Sequence, residues 1–356
     1  MTLHIFNPEH DIALASGLSN FTAPHAGRQL RHDLGFLPSL WAANDDAVLV
    51  DDIATAESAY RKLRVSVQRY GRTLPLKCHF VSSDKSLREL QHATLSPWGW
   101  DFALRALLLR RGMDAQLPSE AAVETIRQLS HRRTAAWLLP QLRIEGTVGE
   151  SFECDSLEHV AQRTASYPKT ILKAPWSSSG RGLRFVEHGK DTPNLTPWVH
   201  NLLAGQGSVM VEPYYNKVKD FGMEFLSDGK GRADYLGLSL FHTENGAYTG
   251  NILATEIVKR GYLTRYVSGL LLRSVQERIC SILGTFFRDK YQGPFGVDMM
   301  VVANGDGFLL HPCVEINLRR TMGHVALTLS PEDDDIQRVM RIEYANDNYK
   351  LLIRKK

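Results

Sequence analysis

In the first third of the chain, short apolar runs alternate with amphipathic stretches. Leu3-His4-Ile5-Phe6 and Ala47-Val48-Leu49-Val50 predict short buried strands, and Cys78-His79-Phe80-Val81 a third. Between the second and third, residues 53–63 carry apolar side chains at helical spacing, and further helical patterns cover 102–111 and 119–129. Strands alternating with helices predict an α/β lobe. Beyond residue 129 the pattern changes. Apolar strands at 167–173, 183–186, 209–215 and 236–241 are separated by Ser- and Gly-rich loops. Residues 271–288 repeat apolar positions at helical spacing, as in a helix packed on a sheet. Gly205-Gln206-Gly207 reads as a lobe boundary. The acidic run Glu332-Asp333-Asp334-Asp335 opens a solvated segment that ends in a terminal helix or strand.

Two strands near the C-terminal end carry an ordered set of polar groups. Gly296-Val297-Asp298-Met299-Met300 and Val314-Glu315-Ile316-Asn317-Leu318-Arg319 flank Asn304-Gly305-Asp306-Gly307, which has hairpin-turn chemistry. Side chains alternate along a strand, so Glu315 and Asn317 share a face. A hairpin folded about Gly305 and Asp306 sets Asp298 opposite Cys313, on that same face. Oxygen ligands grouped in this way suit magnesium held together with substrate phosphates. Arg319 offers a planar fork for a phosphate. The competing interpretation is a polar solvent face.

Upstream, the strand at 167–173 ends in Lys173. The loop Ser177-Ser178-Ser179-Gly180-Arg181-Gly182 follows at once, and then a returning strand. Such a flap can wrap a polyphosphate with its backbone N–H groups and hydroxyls, and an ordinary hairpin loop is the alternative. Val209-Met210-Val211-Glu212 runs into Pro213-Tyr214-Tyr215, a hinge whose free backbone groups can read an adenine edge. Asp220 or Glu224 can accept from ribose hydroxyls.

In this order the segments resemble the ATP-grasp superfamily, over roughly residues 129–325. The shared series is a strand ending in Lys, a Gly/Ser flap, a V-x-V-E-x-Y hinge strand, an acidic metal-ligand strand and an E-x-N-x-R strand. The resemblance implies an α/β chain whose two lobes sandwich ATP, preceded by a Rossmann-like N-terminal domain. The implied division is 1–128, 129–207 with the flap, 208–330 with the metal site, and a C-terminal segment 331–356. It implies that Lys173 contacts the ATP phosphates, assisted by Arg132 or Arg133, with Ser178, Ser179 and Gly180 over the β and γ phosphates. Glu212 to Tyr214 would hold adenine, and Asp220 the ribose, with Glu224 as its alternative. Asp298, Glu315 and Asn317 would bind Mg2+, with Mn2+ as the alternative ion, and Arg319 would steady the transferred phosphoryl group. Asp298 matches its motif loosely, so a shift in register stays open.

Asn7-Pro8-Glu9-His10-Asp11 follows the first strand directly. Ligands in open α/β sheets bind beyond the carboxyl ends of strands, so Asn7, Glu9, His10 and Asp11 are candidates for holding the second substrate. Helix capping is the alternative. Asn251, in a Gly-rich stretch after Phe241, is a further candidate.

Composition narrows the function classes. The 356 residues suit two or three lobes, and a net charge of +3 implies no broad field for nucleic acid. No apolar run spans a bilayer, and no secretory leader is read at the start. The four cysteines lack metal or redox spacing, so free thiols in a reducing cytoplasm are expected. The resemblance implies a Mg-ATP-dependent ligase that activates a small-molecule or peptide carboxylate as an acyl phosphate for attack by an amine. A small-molecule kinase and a non-catalytic ATP-binding module are the alternatives. Oligomeric state is not written in the sequence, with a homodimer the common default.

Overall fold

The structure, a computed structural model, describes all residues except 76–78, 83, 178–181 and 245–246. The N-terminal lobe is built on parallel strands β1 (Thr2–Ile5), β2 (Ala47–Leu49), β3 (His79–Val81) and β4 (Thr94–Pro97), in the order β3-β2-β1-β4. Parallel neighbours need long crossovers, which helices supply here. The helix Ile53–Gln68 shows why this sequence makes one. Asp52 accepts from the Thr55 N–H at 2.7 Å, and Ala56, Tyr60, Leu63 and Val67 form a buried stripe at helical spacing.

The second sheet holds β5 (Phe152–Cys154), β6 (Lys169–Lys173), β7 (Leu183–Glu187) and β8 (Val209–Pro213), ordered β5-β8-β6-β7. Because β8 pairs with β5 and β6, this sheet extends through Pro213 and does not end at Gly207. Gly207 instead terminates the helix Leu195–Gln206, at φ +79°. The glycine signal marks the end of a helix within the lobe.

The third sheet is the largest. It contains β9 (Lys217–Ser227), β10 (Ala233–Glu244), β11 (Ala247–Leu253), β12 (Gly293–Asn304), β13 (Gly307–Asn317), β14 (Arg338–Ala345) and β15 (Asn348–Lys355), ordered β13-β12-β9-β10-β11-β14-β15. One expectation is corrected here: the Gly-rich stretch that holds Asn251, read as a loop after Phe241, forms the strand β11 from Ala247. The terminal helix or strand expected of the C-terminal segment is a strand hairpin at 338–355 that extends the large sheet. Gly250 permits this close pairing, since a Cβ there would lie 2.3 Å from the Met340 carbonyl oxygen.

The helix Gly269–Phe286 lays Leu272, Val275, Ile279 and Leu283 against the large sheet, where Phe225 and Phe295 stack at 5.0 Å. Each such buried side chain stabilises by roughly 1.5–3 kcal/mol. A separate apolar cluster joins the lobes: Phe6 and Trp98 of the first pack with Val325, Ala326 and Leu329 of the helix Met322–Leu329. The N-terminal lobe is thereby seated on the large sheet, and the segment after β1, Asp298 in mid-β12 and the end of β13 meet at the seam. Among the described residues no helix is long and apolar enough to cross a membrane.

Candidate functional site

The β12–β13 hairpin turns at Gly305 and Asp306, with Gly305 at φ +58°. Pairing propagates from Asn304↔Gly307 to Met300↔His311, as the turn demands. A bulge then intervenes, and Asp298 faces Glu315 instead of the expected Cys313. Pro312, which cannot donate to a ladder, lies in the bulged stretch. A shift from 313 to 315 preserves the face, so Asp298, Glu315 and Asn317 still converge. Asn317 Nδ2 donates to Asp298 Oδ2 at 3.1 Å. Burial and the neighbouring Glu315 charge push the Asp298 carboxyl up to about 7, against the opposing pull of Arg319 and Asn317.

Cations of the site are already paired with acids of the chain. Arg319 forks onto Asp11, with Nε to Oδ1 at 2.7 Å and Nη2 to Oδ2 at 2.6 Å, and its Nη2 also donates to Asn317 Oδ1 at 2.9 Å. Burial alone would raise the Asp11 carboxyl, but the Arg319 guanidinium outweighs it and holds Asp11 below the usual range. Arg132 Nη2 lies 3.0 Å from Glu315 Oε1 and donates to Ser177 Oγ at 3.2 Å, while its Nε donates to the Ala174 carbonyl at 3.1 Å. Arg133 points elsewhere, to Glu153 at 3.0 Å, with its side chain half exposed. The structure thus separates two arginines that the sequence leaves equivalent.

Lys173 Nζ and Glu212 Oε2 form a buried ion pair at 2.5 Å. The register produces it: Lys173 sits opposite Met210 and Ile171 opposite Glu212, so the two charges are diagonal neighbours on one face. Tyr214 is exposed, and the Lys169 ammonium lies 4.3 Å from its ring centre. Asp220 accepts from Lys217 Nζ at 2.5 Å and from Thr243 Oγ1 at 2.6 Å. Ser178, Ser179 and Gly180 lie outside the described residues.

A cavity of about 320 Å³ opens at the seam between the lobes. It brings together Asp11, Arg132, Asn251, Asp298, Glu315, Asn317 and Arg319, and is walled by Phe6, Trp98, Phe241 and Tyr248. Lys173, Glu212, Tyr214 and Asp220 do not line it. Of the Asn7–Asp11 candidates, only Asp11 reaches it. Asn7 Nδ2 donates to the Gly99 carbonyl at 2.8 Å and to Asp101 at 3.1 Å, tying the segment after β1 to the one after β4. His10 is buried against Gly99, with Nδ1 3.5 Å from Asp101. Glu9 pairs with Arg31. Asn251 is buried, donates to Ser239 Oγ at 2.8 Å and accepts from the Tyr248 hydroxyl.

Glu224, only an alternative ribose acid in the sequence, is a buried acid in the wall of this cavity. Thr321 Oγ1 donates to it at 2.8 Å, and His324 Nδ1 lies 3.0 Å away. Burial pushes its carboxyl up to about 8, and burial likewise drops His324 to about 3. Gly296 stands opposite it in the ladder, and a Cβ at Gly323 would lie 1.8 Å from its Oε1. The glycines make room for a carboxyl that the spacing Gly222-Met223-Glu224 signals faintly.

Among the described residues no three His, Cys, Asp or Glu side chains form a self-sufficient metal cage. Two carboxylates and an amide on one face fit an ion that takes its remaining ligands from phosphates and water. The raised Asp298 carboxyl, crowded by Glu315, is the observation that fits such a cation.

No family model matches the chain. Solved structures match nearly its full length. An N5-carboxyaminoimidazole synthetase from Staphylococcus aureus, complexed with ADP, superposes with a TM-score of 0.51 at 14% identity, covering 97% of this chain and 83% of that one. Biotin carboxylase from Campylobacter jejuni, in a β-γ-ATP complex, gives 0.52 at 13% identity, covering 98% and 77%. The chain has the ATP-grasp fold. In sequence, the chain is 23% identical over 201 residues to a [butirosin acyl-carrier protein]–L-glutamate ligase of Niallia circulans, 55% of this chain. The chain spans 44% of that relative's length.

Proposed function

We propose that the protein is a Mg-ATP-dependent ligase that activates a small-molecule or peptide carboxylate as an acyl phosphate, which an amine then attacks with release of ADP and phosphate. The observation that carries this proposal is the convergence of Asp298, Glu315, Asn317, Arg319 and Arg132 on one cavity of an ATP-grasp fold. In the proposed complex, which extends beyond that cavity, Lys173 and Arg132 hold the ATP phosphates, with Ser178, Ser179 and Gly180 over them. Glu212, Tyr214 and Asp220 hold the nucleoside. Asp298, Glu315 and Asn317 hold Mg2+, or Mn2+ in its place, and the ion supplies charge neutralisation on the phosphates. Arg319, with its fork geometry, steadies the transferred phosphoryl group. Asp11 changes role as Arg319 turns to phosphate: the freed carboxylate faces the cavity and accepts from the incoming amine. Catalysis then rests on positioning and electrostatics, without a protein nucleophile. The three described cysteines are free thiols, two of them buried, which supports a cytoplasmic setting.

Mass spectrometry of a metabolite pool incubated with the protein, magnesium and ATP tests this, with Glu315→Gln as the blank. A species equal to two pool members joined with loss of water is expected. A phosphorylated species would make the protein a kinase, and no enzyme-dependent species would leave two cases, a substrate absent from the pool or an ATP-binding module.

A further inference from the structure

Beyond the carboxyl ends of β1 and β2, the N-terminal lobe holds a second cavity, of about 240 Å³. It shares only Phe6 with the cavity at the seam. Its floor is apolar, with Ile5, Leu49 and Leu107, and its rim carries Arg28, Arg110 and Arg111. The acids around it are engaged. Asp101 accepts from the Leu104 N–H at 2.8 Å and from Asn7, while Glu9 and Asp51 share Arg31. The rim cations are less engaged. Arg28 donates one N–H to the Ala23 carbonyl at 2.7 Å, Arg111 lies 3.5 Å from the exposed Asp84, and Arg110 has no ion pair among the described residues. One further group points to a ligand. The Glu9 side chain, only 9% exposed, lines the cavity, and its Oε2 has no hydrogen-bond partner among the described residues. A buried polar atom left unpaired is costly, so a partner is called for.

We infer that this cavity binds an amphipathic organic anion, a ligand separate from those of the seam. Its apolar body rests on Ile5, Leu49 and Leu107, its carboxylate or phosphate head meets Arg28, Arg110 and Arg111, and Glu9 Oε2 meets a polar group on the body. Guanidinium groups suit both head groups, a mostly apolar cavity with a few placed polar groups is the usual form of a small-molecule site, and the ends of parallel strands are its usual place. The inference is independent of the proposed ligase activity.

Calorimetric titration of the full chain, with the seam held by saturating Mg-ADP, tests it without any turnover readout. The probes are 3-(4-hydroxyphenyl)propanoate, 3-(4-hydroxyphenyl)propyl phosphate, the uncharged 3-(4-hydroxyphenyl)propan-1-ol and inorganic phosphate, the phenol being the polar group offered to Glu9 Oε2. One organic anion is expected to bind one-to-one, at least about tenfold more tightly than the alcohol and than inorganic phosphate, and whichever is preferred identifies the head group. Arg110→Ala and Arg28→Ala are each expected to weaken it at least about tenfold. Arg110 is exposed at a helix end, so its replacement remains informative if loss of the Arg28–Ala23 contact unfolds that variant. Absence of binding by both anions, equal binding of the alcohol or of inorganic phosphate, or undiminished binding in Arg110→Ala would overturn the inference.

Discussion

At the residue scale, the site is a set of opposite charges held close at buried and partly buried positions. Lys173–Glu212, Arg132–Glu315 and Arg319–Asp11 are each satisfied within the chain, so the proposed function requires ligand phosphates to exchange for carboxylates already in place. Removing one charge of such a set is costly. Glu315→Gln should keep the fold and lower turnover by roughly a hundredfold or more, as read from steady-state rates; near-normal rates would remove Glu315 from the metal site. Burial and Glu315 push the Asp298 carboxyl up to about 7, so in the proposed metal site its proton would compete with the ion. Magnesium affinity, measured by titration in the presence of ADP, should therefore be about tenfold weaker at pH 6 than at pH 8, and a flat profile would contradict the assignment. Glu224 runs the opposite way in stability. Its carboxyl rises from 4.5 in the unfolded chain to about 8 in the folded one, so the folded form keeps a proton that the unfolded form has lost. The stability tied to that proton is full below about 4.5 and is lost as pH rises through about 8. Melting curves of Glu224→Gln should flatten this decline relative to the unaltered protein, and parallel curves would refute it.

At the element scale, the motif strands were legible in the sequence and their partners were not. The strand ending in Lys173, the hairpin turn at Gly305 and the helix behind the large sheet all announce themselves through local pattern. The bulge that pairs Asp298 with Glu315 does not, because ladder register past a turn is set by tertiary fit and not by the turn alone. Strand β11 was hidden by glycine, and charge left β14 and β15 readable only as a terminal helix or strand, since both lower strand propensity while the large sheet overrides it. Arg132 and Arg133 were adjacent in the sequence, and only the helix they open aims one inward. Gly250→Ala gives a direct check on the extended sheet. Its Cβ would strike the Met340 carbonyl, so denaturant unfolding should show a loss of roughly 2 kcal/mol or more. An unchanged midpoint would mean that β14 does not pair there.

At the scale of the whole molecule, the N-terminal lobe and the large sheet share a packed seam, and Asp11–Arg319 is the ion pair that crosses it within the site. The segment after β1 therefore has two jobs. Asn7 and His10 fasten it to the segment after β4, and Asp11 reaches into the cavity. From sequence these side chains look alike, because nothing local tells which of them faces the seam. The account as a whole depends on ATP binding between the second and third sheets. Calorimetric titration of Mg-ATP into the protein and into Lys173→Ala measures this most directly. One-to-one binding that weakens at least about tenfold in the variant is predicted, since a charge-assisted contact to phosphate is lost. No binding, or equal affinity in both proteins, would contradict the account.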